Sequence, residues 1–316
     1  MDSTNRRHSE REEQRMHANQ EDLVERVARA LPLDGAAEPL AGLMLRRASE
    51  PTPLGHGTSH PSFCVIAQGS KEILLGEKRY LYNPAQYLIS AASLPIATRI
   101  TDASSERPYL GLVLRLDPAI VGSVLVEAGR LAPRYPASVT AIDVSPLDAG
   151  LLDAIIRLVR LLDSPAETRL LAPLVTREIV CRLLLGAQGS RLHQIANLGD
   201  STHRIAQAID RFRKDFDQPL RIEDIARELG MSVSGFHHHF RALTAMSPLQ
   251  FQKQLRLQEA RRLMLGEGFD AASAGHRVGY GNASHFTREY KRLFGAPPMH
   301  DVERLREHGV PADLSP

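Results

Sequence analysis

The C-terminal third of the chain contains one short unit twice, and this duplication limits the possible folds more than any other feature. In the first copy, residues 222–241 (IEDIARELGMSVSGFHHHFR), Ile222, Ile225, Ala226 and Leu229 recur at helical spacing and stop at Gly230. Glycine suits the left-handed conformation that ends many helices. Ser232 can then cap a second helix, with Phe236 and Phe240 inward four residues apart. The second copy, residues 271–291 (AASAGHRVGYGNASHFTREYK), repeats the pattern with Gly279 as the turn, Asn282 as the cap, and Phe286 and Tyr290 as the inward pair. Helix, short glycine turn and helix together make a helix-turn-helix unit. Between the copies, Ser247-Pro248 opens a long helix over residues 249–265. A stiff connector fixes the separation of the two units, so that each second helix can enter a major groove, two such grooves lying about 34 Å apart on one face of a duplex.

Charge supports this reading. Residues 201–300 carry fifteen Lys and Arg against ten Asp and Glu, while the rest of the chain is slightly acidic and the formal net is +2. A basic C-terminal third on an acidic body favours a polyanionic partner for that third.

The N-terminal half has a different texture. Phe63-Cys64-Val65-Ile66, Ile73-Leu74-Leu75, Tyr80-Leu81-Tyr82 and Tyr87-Leu88-Ile89 read as short strands, with turns at residues 68–70, 75–78 and 83–84. From Tyr109 to Leu116 the residues Leu110, Leu112, Leu114 and Leu116 alternate onto one face. Short strands at this spacing predict a small antiparallel barrel or sandwich. Beyond Leu116, Asp117-Pro118, Ser145-Pro146 and Ser164-Pro165 each place a cap residue before a proline, which predicts three helix starts. Leu147, Leu151, Leu152, Ile155, Val159 and Leu162 form one apolar stripe, and Leu170, Leu171, Leu174, Val175, Ile179 and Leu183 another. Residues 186–189 and 198–200 are candidate linkage between domains. The first 22 residues, polar and highly charged, are expected to be a disordered leader.

Several chemistries find little support. No apolar run of 18 residues occurs, so no membrane span is expected, and there is no apolar signal segment at the start. Two cysteines, Cys64 and Cys181, make no disulfide framework, and with no signal segment they point to the cytoplasm. His237-His238-His239 cannot converge on one ion, because successive helical residues point about 100° apart. His56 and His60 resemble a fragment of a cupin metal site, but no further histidine follows before Leu116. Phosphate loops, nucleophile elbows and paired-carboxylate motifs are missing, so no catalytic residue, cofactor or metal ligand is assigned. Cys64 reads as a small core residue or as a thiol at a pocket wall, and Cys181 as core.

Residues 201–298, with the ending Tyr290-Lys291-Arg292-Leu293-Phe294-Gly295-Ala296-Pro297-Pro298, closely resemble the DNA-binding domain of AraC/XylS-type bacterial transcriptional regulators. Residues 61–71 (PSFCVIAQGSK) and 114–118 (LRLDP) resemble the cupin-like effector domain of one subgroup of that family, which includes an aldehyde-responsive regulator. The resemblance implies an α+β protein: an N-terminal cupin-like β-barrel with flanking helices over residues 23–190, an all-α double helix-turn-helix domain over 198–302, and a tail over 303–316. It implies a sequence-specific transcription regulator, not an enzyme, whose partners are double-stranded DNA, RNA polymerase and a small-molecule effector; the two apolar helix stripes, which must pack on each other, on the barrel or on a second chain, add a second copy of the chain as a further expected partner. Matched residue by residue, the base-facing positions of the first recognition helix are Ser234, His237 and His238, with Arg241 one turn on at a phosphate. In the second helix they are Ala283, Ser284, Thr287 and Arg288. The short side chains at Ala283 and Ser284 leave Arg288 as the residue able to bond guanine bidentately. Within the barrel, Phe63, Cys64, Val65, Tyr80, Tyr82 and Tyr87 are the candidate effector contacts. The competing reading is a metal-dependent cupin enzyme fused to a DNA-binding tail.

Overall fold

The computed structural model describes residues 3–129, 140–196 and 200–308. The chain opens with helix α1 (Ser3–Ala30), where the sequence predicts a disordered leader through residue 22. Its C-terminal half gives the reason: Leu23 and Val27 are fully buried against the sheet, and Gln20 donates to the Ala67 carbonyl at 2.6 Å. Burial of an apolar stripe stabilises a helix whose polar N-terminal composition alone does not announce it.

Strands β1 (Gly35–Leu40), β2 (Leu43–Ala48), β3 (Gly55–Thr58), β4 (Ser62–Gln68), β5 (Ser70–Leu75), β6 (Lys78–Tyr82), β7 (Gln86–Ser90), β8 (Pro95–Asp102), β9 (Tyr109–Arg115) and β10 (Ile142–Pro146) follow. They form two antiparallel sheets, one in the order β1-β2-β9-β4-β7-β10 and one in the order β3-β8-β5-β6. The fold is thus the expected α+β mixture, an N-terminal sheet domain with flanking helices followed by a helical half, with the strands in two sheets in place of the one closed cupin-like barrel. β3 and β6 are the edges of the smaller sheet. The tight turn between β4 and β5 needs Gly69, at φ +86°, where a Cβ would strike the Asp102 carbonyl.

Helices α2 (Pro118–Ala128), α3 (Ala149–Arg160), α4 (Pro165–Leu185) and α5 (Gly189–Ile195) cover the larger sheet and each other. Asp117 caps α2 by accepting from the Ala119 amide at 2.8 Å. The start predicted at Ser145-Pro146 is displaced: these residues end β10, paired with Tyr87 and Gln86, and Asp148 caps α3 instead. The register of an edge strand decides this local choice, because Ser145 is spoken for by the ladder. Residues 186–189 make no open linker; Gln188 and Gly189 are buried and the Gly189 amide donates to the Gly186 carbonyl. The other candidate linkage, at 198–199, lies outside the described residues, as does the tail from 309 on.

The C-terminal half consists of α6 (Asp200–Lys214), α7 (Ile222–Glu228), α8 (Val233–Thr244), α9 (Pro248–Gly266), α10 (Ala271–Arg277), α11 (Ala283–Phe294) and α12 (Pro298–His308). Both copies of the repeated unit fold as read. Gly230 and Gly279 take positive φ after α7 and α10, Ser232 accepts from Gly235 N at 3.1 Å, and Asn282 accepts from His285 N at 3.0 Å. Ser247 and Gln250 close a reciprocal capping box at the start of α9. Phe212, Phe236, Phe240 and Phe251 form the centre of the first unit, with rings 5.3 to 5.9 Å apart. The second unit is centred on Tyr290, whose hydroxyl donates to Asp301, itself held bidentately by Arg261 at 2.8 and 2.9 Å. The apolar core of the sheet domain runs without a break into the first unit, whereas the second unit has a core of its own.

Candidate nucleic-acid interface and ligand cavity

The inward aromatic pair of each unit fixes which face of its second helix points out. In α8, burial of Phe236 and Phe240 leaves Ser234, His237, His238 and Arg241 exposed. These four residues follow helical spacing and share one outward surface. His239, between them and the core, is half-buried, edge-on to His238 with ring centroids 5.3 Å apart. In α11, burial of Phe286 and Tyr290 leaves Ala283, Ser284 and Arg288 exposed, while Thr287 is half-buried and its hydroxyl donates back to the Ala283 carbonyl at 2.9 Å. That donor is therefore engaged within the helix. The structure brings each set of four together on one face of its helix.

The sheet domain presents the second site. Alternation along paired strands places Ser62 and Cys64 of β4, Leu88 and Ser90 of β7, and Val113 and Arg115 of β9 on the inner face. Lys71 and Ile73 of β5, Tyr82 of β6, and Ile96 and Thr98 of β8 meet them from the other sheet around a cavity of about 170 Å³. Of the six residues expected to contact an effector, Cys64 and Tyr82 line this cavity. Phe63, Val65 and Tyr87 lie on the opposite face, buried beneath the helices, with the Phe63 and Tyr87 rings 5.5 Å apart. Tyr80, at the middle of β6, shares Tyr82's face but lies outside the cavity lining, beside Thr140, Asp143 and Arg191, where burial raises its phenol pKa. The leucines of β9 likewise turn outward to the helices, so the large apolar residues mark the helix-covered face of the larger sheet.

Sequence reasoning missed the cavity's polar side: Lys71, only 7% exposed, Arg115 at the rim, and the hydroxyls of Ser62, Ser90 and Thr98. The signal was the period-two alternation within each strand, which pairs Ser62 with Cys64, Ser90 with Leu88, Lys71 with Ile73, Thr98 with Ile96 and Arg115 with Val113, once the register is known. Against these cations the lining offers one carboxylate, Glu38, which accepts from the Gly42 amide at 2.6 Å. His60 also lines the cavity, its Nδ1 3.3 Å from the Ser93 hydroxyl; burial, then the nearby Arg213 of α6 and Arg115, hold its pKa down. The Cys64 thiol is 3.7 Å from the Ser62 hydroxyl.

His56 turns away from His60 and across to the helical half. It lies edge-on to Phe294 at 5.0 Å, and burial, reinforced by Arg261, pushes its pKa down to about 4. The two imidazoles that resemble a metal-site fragment thus face different neighbours, and no group of three His, Cys, Asp or Glu side chains placed to hold a metal occurs among the described residues. At the next residue of the same strand the contact continues, Gln258 of α9 donating to the Gly57 carbonyl at 2.9 Å, and elsewhere Ala141 N donates to the Leu243 carbonyl of α8 at 3.1 Å. Among the described residues no helix is long and apolar enough to cross a membrane.

Comparison with known families matches residues 39–191 to the AraC-type transcriptional regulator N-terminus and residues 225–304 to a helix-turn-helix domain. Relatives include the HTH-type transcriptional regulator ArgR of Pseudomonas aeruginosa, 26% identical over 43% of this chain and 42% of that protein. The thermoregulatory protein LcrF of Yersinia pestis is 26% identical over 56% of this chain and 64% of its own length. The chain thus spans between about two fifths and two thirds of these relatives. Among solved structures, unsaturated fatty acid bound ToxT from Vibrio cholerae aligns with a TM-score of 0.50 over 83% of this chain and 93% of that one, at 12% identity, a likeness of fold.

Proposed function

The chain belongs to the AraC-type transcriptional regulators, and from that premise we propose that it binds specific DNA sequences through α8 and α11 under the control of a small organic molecule held between the two sheets. The observation that carries the reading is the pair of capped helices, each fixed by a buried aromatic pair and each exposing a polar face, held apart by α9. Ser234, His237 and His238 then face base edges and Arg241 a phosphate; Ala283, Ser284, Thr287 and Arg288 serve the second groove. Since Thr287 spends its hydroxyl proton within the helix, direct reading by α11 rests chiefly on Arg288 and on DNA shape.

The cavity suits a small ligand with an apolar body and an acidic group. Met44, Ile73, Leu88 and Ile96 supply the first surface, and Lys71 with Arg115 outnumbers Glu38 in charge. The fatty acid described for ToxT is consistent with such a ligand. A reactive carbonyl compound trapped by Cys64 is a narrower version, and Cys64→Ser separates the two: an unchanged response to aldehydes in a reporter strain excludes covalent capture. Recruitment of RNA polymerase, pairing of two chains and a cytoplasmic location complete the reading; with regulators as its relatives, we assign no enzymatic step.

The test is in vitro selection of duplex DNA by the full chain, followed by titration of Arg288→Ala. Loss of a bidentate guanine contact should cost on the order of 1–3 kcal/mol and relax the preference at one base position. Equal weakening on every sequence identifies Arg288 as a phosphate contact instead. Failure to enrich any sequence removes the proposal.

A further inference from the structure

Two of the four groups on the outward face of α8 are imidazoles, the side chain whose charge changes nearest neutral pH. We propose that His237 and His238 make DNA binding a proton-uptake reaction, so that the first recognition helix grips DNA more tightly in acid. This rests on the DNA-binding reading above and adds to it a control that operates on the same surface.

The argument begins with what surrounds these rings. Both are exposed, and α8 itself, from Val233 to Thr244, contains no carboxylate; its other titratable or charged groups are the half-buried His239, edge-on to His238, and Arg241, one turn on. α6, α7 and α9 pack against α8. Their carboxylates are largely spoken for: Glu228 of α7 pairs with Arg211 of α6, Asp224 with Arg227 within α7, and Glu259 with Arg262 within α9. Glu223 and Asp210 are the other acids on these helices whose side chains are described. Basic groups Arg204, Arg213, Lys214, Lys253, Arg256 and Arg261 lie on the same elements. An imidazolium at 237 or 238 therefore finds little negative charge on its own protein to offset Arg241. A duplex supplies it, since one phosphate charge falls every ~1.7 Å along the axis.

Binding thus changes the balance for the proton. In free protein each ring is solvated beside a cation; against a phosphate the charged form gains an opposite charge and a second N–H donor, so its proton affinity rises. By linkage, the side that binds the proton more tightly is favoured as pH falls. Each ring takes up to one proton from solution as the complex forms, in proportion to the difference in protonation between its bound and free forms, and affinity climbs over that range as pH falls. A rise of one unit in pKa corresponds to about tenfold in affinity per ring. Each new cation that neutralises a phosphate also steepens the dependence on salt, by about 0.9 in log K per log salt concentration. Neutral histidines used only as hydrogen-bonding groups would produce neither effect.

The experiment uses the full chain and a fluorescein-labelled duplex recovered by in vitro selection, titrated by anisotropy from about pH 8 to about pH 5.5, a range that brackets an ordinary imidazole, at two salt concentrations. We expect the wild type to bind between about ten- and a hundredfold more tightly at the acid end, with a steeper salt slope there. His237→Gln/His238→Gln keeps a hydrogen-bonding group at both positions without the charge; it should be nearly flat in pH and keep one salt slope. His239 of α8, His285 of α11, and His276 and His300 remain in the variant, so any slope they carry stays visible there. Thermal melting confirms that the variant is folded. Wild-type binding without a pH slope, or a slope that persists in the double variant, overturns the proposal while the DNA-binding reading stands. Absence of binding to any duplex at any pH overturns both.

Discussion

Single residues gain their properties from the neighbours the fold supplies, and His56 shows it most directly. In the sequence it is half of a metal-like pair; in the structure it is wedged beside Phe294 with Arg261 nearby, and its pKa falls to about 4 from 6.5. The folded protein thus holds it neutral where the unfolded chain would protonate it. Stability from this group is complete above pH 6.5, the unfolded value, and is lost as pH falls toward 4, because there the unfolded state binds the additional proton. The gap corresponds to about 3 kcal/mol. Urea unfolding from pH 7 to pH 4 should therefore show a shallower acid loss for His56→Phe, which keeps a ring against Phe294, than for wild type. Parallel curves for the two proteins would place His56 in water and refute the packing. Cys64 and Tyr82 were legible as cavity residues, yet Lys71 and Arg115 were not: a lone sequence shows that neighbours alternate, but the choice between inner and outer face depends on which partner strand a residue meets.

At the level of elements, legibility follows locality. Ser232, Asn282 and Ser247 cap helices through bonds to amides three residues away, and Gly230 and Gly279 end helices by their own conformation, so these boundaries can be read from short windows. Ser145 misleads because strand pairing with Tyr87, nearly sixty residues distant, outcompetes a local cap. Helix α1 was hidden for the same reason, its stability arising from Leu23 and Val27 against a sheet formed later in the chain. The two glycine turns, equivalent in sequence, also differ in their surroundings. A Cβ at Gly230, φ +63°, meets only the end of the Arg204 side chain at 3.5 Å. At Gly279, φ +86°, it would collide with the Asp217 carbonyl. Gly230→Ala should accordingly cost about 1 kcal/mol from backbone conformation alone, and Gly279→Ala a further ~1–3 kcal/mol from displaced backbone. Chemical denaturation of both variants checks this, and equal losses would show that the Asp217 loop yields freely.

For the whole molecule, the decisive feature is an uncovered apolar cluster on α4 and α2. α4 divides its side chains: Ile179, Val180, Leu183 and Leu184 are buried, whereas Leu170 and Leu174, one turn apart, are 73% and 64% exposed. Leu171 on the same helix and Val126 on the neighbouring α2 are exposed as well. The periodic stripe read from the sequence thus splits between the chain's own core and an uncovered face, a division that periodicity alone does not express. Burying four such side chains at a two-fold axis doubles their contribution, because each chain supplies the same surface. The result for DNA is larger than the interface itself. Two linked double helix-turn-helix halves would meet repeated sites at a high effective concentration, and avidity would exceed the affinity of one chain by about 10²-fold or more without a new DNA contact. Sedimentation or light scattering of the full chain should therefore show dimers at tens of micromolar, about where a modest interface is half occupied. Leu170→Glu/Leu174→Glu should yield a folded monomer, since both positions lie outside the core, and it should lose affinity for a duplex with two sites while retaining that for a duplex with one. A wild-type chain that stays monomeric at that concentration, or a variant that dimerises as before, would assign the exposed leucines of α4 to some other contact.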